Sequence, residues 1–285
     1  MEKLLKWSVA NSTNDEEAKK KIGTPDPELL AQLFGGKVDD PTLMKQSMAI
    51  IMDEELELKS KEVAFENFEM LIENLDNANN IENLKLWKPL IELLRSNDEF
   101  KSQTCSCIGT AIQNNTKSQE DFLKYEDGLK TLIEISKDAD EPEEVKLKSF
   151  YALSSLLRHN EDAYGKFNDL KGWDLIASSP TLLSDKLKLR MLSLFSSLLS
   201  TGVSSEKRQI IQEKKILLEL IELLTVDQSI SILDKIIHIL TELISGNYKL
   251  NDQECDSLTK NLKNLEPIKD RLNEDDFKVL KQVIS

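Results

Sequence analysis

The side chains that could do chemistry are few and far apart. His159 and His238 are the two histidines of the chain. A histidine acts as general base when a nucleophile or a substrate proton lies within hydrogen-bond reach, and neither has an evident nucleophile beside it. Cys105 and Cys107 flank Ser106, but no second pair of ligands follows at the spacing a four-ligand zinc site needs. They read as small buried residues. The signatures of zinc proteases, phosphate-binding loops, dinucleotide folds and nucleophile elbows are absent. No catalytic residue, metal site or cofactor is expected. Asp53-Glu54-Glu55 and the acidic run from Glu141 to Glu144 read as solvated loop charges. What does recur is positive charge: Lys148, Arg190 and Lys235 follow one another at intervals of 42 and 45 residues.

Those intervals are the repeat of the helices that must carry the three cations. AIQNN (111–115), LLRHN (156–160), LLSTG (198–202) and LISGN (243–247) end similar apolar-periodic helices, and they start 45, 42 and 45 residues apart. The shorter segments PLIELL (89–94), TLIEIS (131–136), DLIASS (174–179) and ELIELL (219–224) start 42, 43 and 45 residues apart. Two independent landmarks thus give one period, and about 40–47 residues with two or three helices is the unit of HEAT and armadillo repeats. Asp127-Gly128 and Lys171-Gly172 precede the shorter helix, where Gly eases a bend between helices; Lys215 holds the corresponding place in the last unit. Trp87 and Trp173, at matching positions, read as packing between repeats. The predicted fold is all-α: a right-handed armadillo-repeat solenoid with helical caps.

The repeat offsets place equivalent side chains side by side. Ser106, Tyr151, Ser193 and His238 form one column. Gln103, Lys148, Arg190 and Lys235 lie one turn earlier, and Thr110, Ser155, Ser197 and Glu242 one turn later. Positions i, i+3 and i+7 share one helix face, and that face is polar in every unit. Its opposite, with Leu153, Leu156 and Leu157, is apolar. The face reads either as a solvated helix surface or as a binding stripe inside a concave groove, suited to a partner surface with carboxylates.

Composition agrees with a helical, non-enzymatic reading. The 285 residues are 40% hydrophobic and 31% charged, with only nine Gly and seven Pro, which disfavours a sheet with many tight turns. The net charge of −14 argues against a phosphate-tracking nucleic-acid binder and against docking on anionic lipid. Three Cys are too few for a disulfide framework and suit a reducing compartment. No 18-residue apolar run suggests a transmembrane helix, and the N-terminal apolar run is too short for a signal peptide. A cytoplasmic protein is expected.

Along the chain, residues 1–39 read as a flexible arm. It carries Leu4, Leu5 and Trp7 in an amphipathic start, and a short helix launched by Pro25-Asp26-Pro27 and ended by Gly35-Gly36. Residues 40–81 form an N-terminal helical cap. Four repeats follow over 82–250 (82–126, 127–170, 171–214 and 215–250), and 251–285 form a C-terminal helical cap whose closed helices suggest a monomer. Between cap and repeats, Asp76 to Asn80 reads as a polar break, with Asn79 and Glu82 as a capping-box variant that starts the next helix.

Five runs carry a more specific signal: MEKLLKWSVANS (1–12), DPELLAQLFGG (26–36), DDPTLMKQSMAIIM (39–52), FENFEMLIENLDNANNIENLKLW (65–87) and LEPIKDRLNEDD (265–276). Together they resemble the fungal armadillo-type nucleotide exchange factors of the cytosolic seventy-kilodalton heat-shock chaperones, whose animal relative is the binding protein of the same chaperone. The resemblance spans the chain and is densest over 1–90; around 96–104 and 178–188 only the repeat pattern fits.

It implies that the concave face embraces one lobe of the chaperone's nucleotide-binding domain and favours an open cleft, so that ADP leaves faster. The chaperone-facing residues would map to the rim and groove: Asn77, Ala78 and Asn80 in the turn, and Lys148, Tyr151, Arg190, Ser193, Lys235 and His238 on the polar face. Ala78 would be small to admit close approach, or be a mere turn residue. The resemblance further implies that the arm, through Leu4, Leu5 and Trp7, imitates an unfolded client at the substrate-binding domain; the same residues could instead fold back on the repeats. Any link to translation would run through chaperones working at ribosomes. The rival reading is an armadillo adaptor for extended peptides, but such adaptors use Trp and Asn ladders over an acidic groove, and here the columns are Ser, Tyr, His and Thr beside a basic stripe.

Overall fold

In the computed structural model, the described residues are 38–96, 99–177 and 183–284. Contacts divide the chain into two compact units, 1–46 and 47–285, and the residues of interest lie in the second, apart from the arm, which falls outside the described residues. Helix α1 spans Asp40–Met52 and α2 Leu58–Ile72. From Leu75 the helices come in threes, two shorter and one longer. The first set is α3 (Leu75–Asn80), α4 (Trp87–Arg95) and α5 (Lys101–Ile112); the second is α6 (Thr116–Leu123), α7 (Glu126–Lys137) and α8 (Glu143–Leu157). The third set is α9 (Glu161–Asp169), α10 (Asp174–Ala177) and α11 (Asp185–Leu199), and the fourth α12 (Ser205–Glu213), α13 (Ile216–Glu222) and α14 (Ile230–Ser245). Helix α15 (Asp252–Leu265), a 3-10 turn (Glu266–Arg271) and α16 (Glu274–Val283) close the chain. Units counted from 82, 127, 171 and 215 have this same period and begin one helix later. Among the described residues there is no strand, and no helix is long and apolar enough to cross a membrane.

The long helices stack in chain order: α2 on α5, α5 on α8, α8 on α11, α11 on α14 and α14 on α16. Leu153, Leu156 and Leu157 are buried against this row, as their spacing predicts. The same local chemistry resets the chain after each long helix. One residue takes the left-handed conformation (Asn114, His159, Gly202 and Asn247), and an Asn or Ser cap follows one to four residues later. Asn115 accepts from the Ser118 amide, Asn160 from Ala163, Ser204 from Lys207 and Asn251 from Glu254. These caps satisfy amides that the helix leaves without partners. Trp87 packs edge-on against Phe122 of the next set at 5.4 Å, whereas Trp173 sits between Tyr164 and Phe195 within the third set.

Three local expectations change. The Asp76–Asn80 stretch is a short helix rather than a break. Asn74 caps it by accepting from the Asp76 and Asn77 amides, so Asn79 and Glu82 start nothing; the next helix begins at Trp87. Gly128 and Gly172 do not ease a bend. A Cβ there would lie 2.6 Å from the Phe122 ring and 2.4 Å from the Phe167 ring, so these glycines make room for an aromatic of the preceding helix. The bend before the second helix is instead made by Lys171 (φ 55°), and Lys215 (φ 53°) corresponds to it and not to Gly172.

Candidate functional site: a polar face along the long helices

Hydrogen bonds and a ring contact link the column read from sequence at several points, and carboxylates extend it beyond both expected ends. Ser106 on α5 donates to Glu69 Oε1 of α2 at 2.6 Å, and Thr110 donates to the same oxygen at 3.0 Å. Lys148 Nζ on α8 donates to Ser106 Oγ at 3.0 Å. Tyr151 OH donates to Gln113 Oε1 at 3.0 Å, and the Arg190 guanidinium of α11 lies over the Tyr151 ring, 5.5 Å from its centre. The ring itself rests on α5, where a Cβ on Gly109 would come within 2.5 Å of it. Ser193 turns its hydroxyl back to Leu189 O at 2.8 Å. At the far end His238 Nδ1 meets Asp276 Oδ2 of α16 at 3.1 Å. The ladder therefore runs Glu69, Ser106, Tyr151, Ser193, His238, Asp276, with carboxylates closing both ends.

Its middle is different. Arg158, Arg190, Tyr151, Gln113, Ser154 and Ser193 are among the residues lining a cleft of about 300 Å³. Lys235 on α14 is half-buried, and burial first, then the Arg158 charge, lowers its pKa from the ordinary lysine value, with Glu242 opposing. Arg158, Arg190 and Lys235 have no ion-pair partner among the described residues. Of the basic column, then, Lys148 is committed to the Ser106–Glu69 network, and the other two stand open beside Arg158.

Asn77, Ala78 and Asn80 do not line this cleft. They sit on α3, where Asn77 is buried and donates to Leu71 O at 2.9 Å, Ala78 is only 3% exposed, and Asn80 is half-buried. Ala78, expected at the rim, lies on this short helix in place of a turn. Leu4, Leu5 and Trp7 lie outside the described residues. His159 is a left-handed turn residue whose ring and amide meet Ser200. Burial pushes the Cys105 thiol up to about 12 and Cys107 up as well, so both are held as thiols packed in the core. Among the described residues no cluster of His, Cys, Asp or Glu could hold a metal.

Sequence reasoning missed Glu69, Arg158 and Asp276. The end units are shorter, so Glu69 precedes Ser106 by 37 and Asp276 follows His238 by 38 residues, outside the 42–45 period used to build the columns. Arg158 did carry a signal: it lies seven residues after Tyr151, two helical turns on, within the LLRHN landmark itself.

A stack of helix triplets along a row of long helices is the architecture of an armadillo-type solenoid. Solved neighbours share it: a designed armadillo repeat protein in complex with the peptide (KR)4 has a TM-score of 0.67 at 15% identity, covering 87% of this chain and 100% of its own. A second armadillo design, for modular peptide recognition, has a TM-score of 0.65 at 16% identity, over 86% and 98% of the two chains. At that identity the likeness concerns the fold alone.

Sequence relatives identify the family. Residues 1–81 match the family described as "Nucleotide exchange factor Fes1", and 77–217 match the "SIL1/FES1/HPBP1 C-terminal domain". The "Hsp70 nucleotide exchange factor FES1" of Saccharomyces cerevisiae is 49% identical over all of both chains. The proteins of the same name from Debaryomyces hansenii and Candida albicans are 44% and 43% identical, again over all of each chain. The chain belongs to the Fes1 family of nucleotide exchange factors.

Proposed function

We propose that the protein is a co-chaperone that binds the nucleotide-binding domain of a cytosolic seventy-kilodalton heat-shock chaperone and accelerates ADP release, promoting client release and folding. The observation that carries this reading is the 49% identity to an "Hsp70 nucleotide exchange factor FES1" along all of both chains. The factor works by preferring the chaperone's open cleft. Linkage then makes the effect mutual: the factor weakens ADP, and ADP weakens the factor by the same ratio. The protein needs no nucleotide site of its own and is not an enzyme. It acts in the cytoplasm as a monomer, and any effect on translation passes through chaperones at ribosomes.

In this reading the repeats over 82–250, between caps at 40–81 and 251–285, present Lys148, Tyr151, Arg190, Ser193, Lys235 and His238 to the chaperone. Asn77, Ala78 and Asn80 add contacts from α3. The arm over 1–39 offers Leu4, Leu5 and Trp7 as a client mimic to the substrate-binding domain. The test is release of fluorescent ADP from the purified chaperone, with and without the full chain and with the chain lacking residues 1–39. Strong acceleration by both forms is expected. No acceleration by the full chain would remove the reading, and loss of it on deletion alone would move the exchange activity to the arm.

A further inference from the structure

The cleft beside Tyr151 holds an imbalance of charge that the helix fold does not need. The protein has 51 acidic and 37 basic residues, and some cations elsewhere on its surface find carboxylates: Arg95 meets Asp127 at 2.8 Å and Lys214 meets Asp174 at 2.8 Å. Arg158, Arg190 and Lys235 find none among the described residues. Like charges held close cost free energy in the free protein. The depressed pKa of Lys235, to which Arg158 contributes, registers that cost. The sequence offers no other unit with a cation at the Arg158 position: the equivalent places, 45 residues before, 42 after and a further 45 on, are Gln113, Ser200 and Ser245.

The geometry also fixes one of the cations. Gly109 lets the Tyr151 ring lie against α5, Gln113 Oε1 accepts a hydrogen bond from its hydroxyl, and Arg190 is laid over the ring. A guanidinium stacked on an aromatic keeps its edge free for a planar, bidentate acceptor. Arg158 faces the same cleft of about 300 Å³ from the end of α8. One carboxylate would satisfy one guanidinium; three open cations call for more than one.

We infer that Arg158 is a partner-binding residue and that Arg158 and Arg190, backed by Lys235, form a socket for a pair of neighbouring carboxylate side chains on the chaperone's folded surface. Tyr151 is the positioning residue of that socket, acting through Arg190. This rests on the exchange-factor reading and specifies the chemistry that reading leaves open.

Binding of the full-length protein to the purified chaperone nucleotide-binding domain is measured at several salt concentrations for wild type, Arg158→Ala, Arg158→Glu and Arg190→Glu. Arg158 is exposed and pairs with no carboxylate among the described residues, so its replacement does not lower the melting temperature. Arg158→Ala is expected to weaken binding about tenfold and to flatten its salt dependence, and Arg158→Glu to weaken it about a hundredfold, since close charge pairs across interfaces have large couplings. Tyr151→Leu should weaken binding without flattening the salt dependence, because both guanidiniums remain. If Arg158→Ala and Arg158→Glu bind as wild type does while Arg190→Glu does not, Arg158 has no part in the interface and the socket is wrong, but the exchange-factor reading survives. If wild type itself fails to bind, that reading falls and the socket with it.

Discussion

Lys207 on α12 and Lys235 on α14 are lysines of one helix triplet whose pKa burial lowers in the same direction, yet the regions around them are opposites. Lys207 is 1% exposed and its ammonium is saturated: it donates to Leu198 O at 2.7 Å, Thr201 Oγ1 at 2.6 Å and Gly202 O at 2.9 Å, and lies 4.3 Å from the centre of the Tyr164 ring. Leu198 O is one that α11 leaves open at its C-terminal end, where a cation is favoured, and Gly202 O belongs to the turn just beyond it. Lys235 has no such set of acceptors; its strongest neighbours are another cation and Glu242. The first region spends a buried charge on joining the third unit to the fourth. The second holds a charge ready for something outside the chain. A shifted pKa alone does not tell the two apart; the count of acceptors does.

The largest effect expected from this contrast is at Lys207. Lys207→Met keeps the length of the side chain but leaves two backbone carbonyls and a hydroxyl without their donor. Unsatisfied buried acceptors and a lost charge-assisted bond suggest a cost on the order of 3 kcal/mol. Urea unfolding should show a lower midpoint at unchanged slope. An unchanged midpoint would mean that Lys207 is no better served than Lys235, and the contrast would collapse.

A smaller step removes one acceptor in place of the donor. Thr201→Val takes away the Oγ1 that Lys207 reaches at 2.6 Å and leaves both carbonyls. One hydrogen bond of three predicts a loss of about 1 kcal/mol. In the double variant with Lys207→Met the Thr201 cost should largely vanish, because the two groups serve one another. Additive losses would show that Thr201 acts through packing alone.

What the sequence revealed follows the same line. The long helices, their period and the polar face were legible because burial imposes a 3.6-residue rhythm and stacking repeats it every 42–45 residues. Lys148, Arg190 and Lys235 were legible as a column for that reason. Lys207 was not: in SSEKRQ it looks like any solvated charge, and only the fold aims it at the end of α11. The short helix at 75–80 was hidden because Asn-rich composition reads as a turn, whereas Asn74 uses its side chain to start a helix. Gly172 was found but misread, since a sequence cannot show that Phe167 fills the space above it. Arg158 was visible as a letter, yet nothing short of the cleft sets it beside Arg190.

The smallest effect on stability, and the sharpest test of the contrast, belongs to Lys235→Met. The folded pKa of Lys235 lies below the ordinary 10.5, so its charged form is disfavoured by folding. That penalty is fully present below the folded pKa and fades as pH rises from it towards 10.5. Removing the charge at neutral pH should therefore leave stability unchanged or raise it by a few tenths of a kcal/mol, a gain that shrinks at alkaline pH. Lys207 has the same pH sign, so titration will not separate the two lysines, but substitution will. The same Lys235→Met protein should bind the chaperone less well, because the strain it relieves in the free state is what an incoming carboxylate would have relieved. Chemical unfolding and binding, measured on one preparation, decide the matter. A clear loss of stability would place Lys235 with Lys207 among the structural staples, and an unchanged affinity would leave its charge without a use.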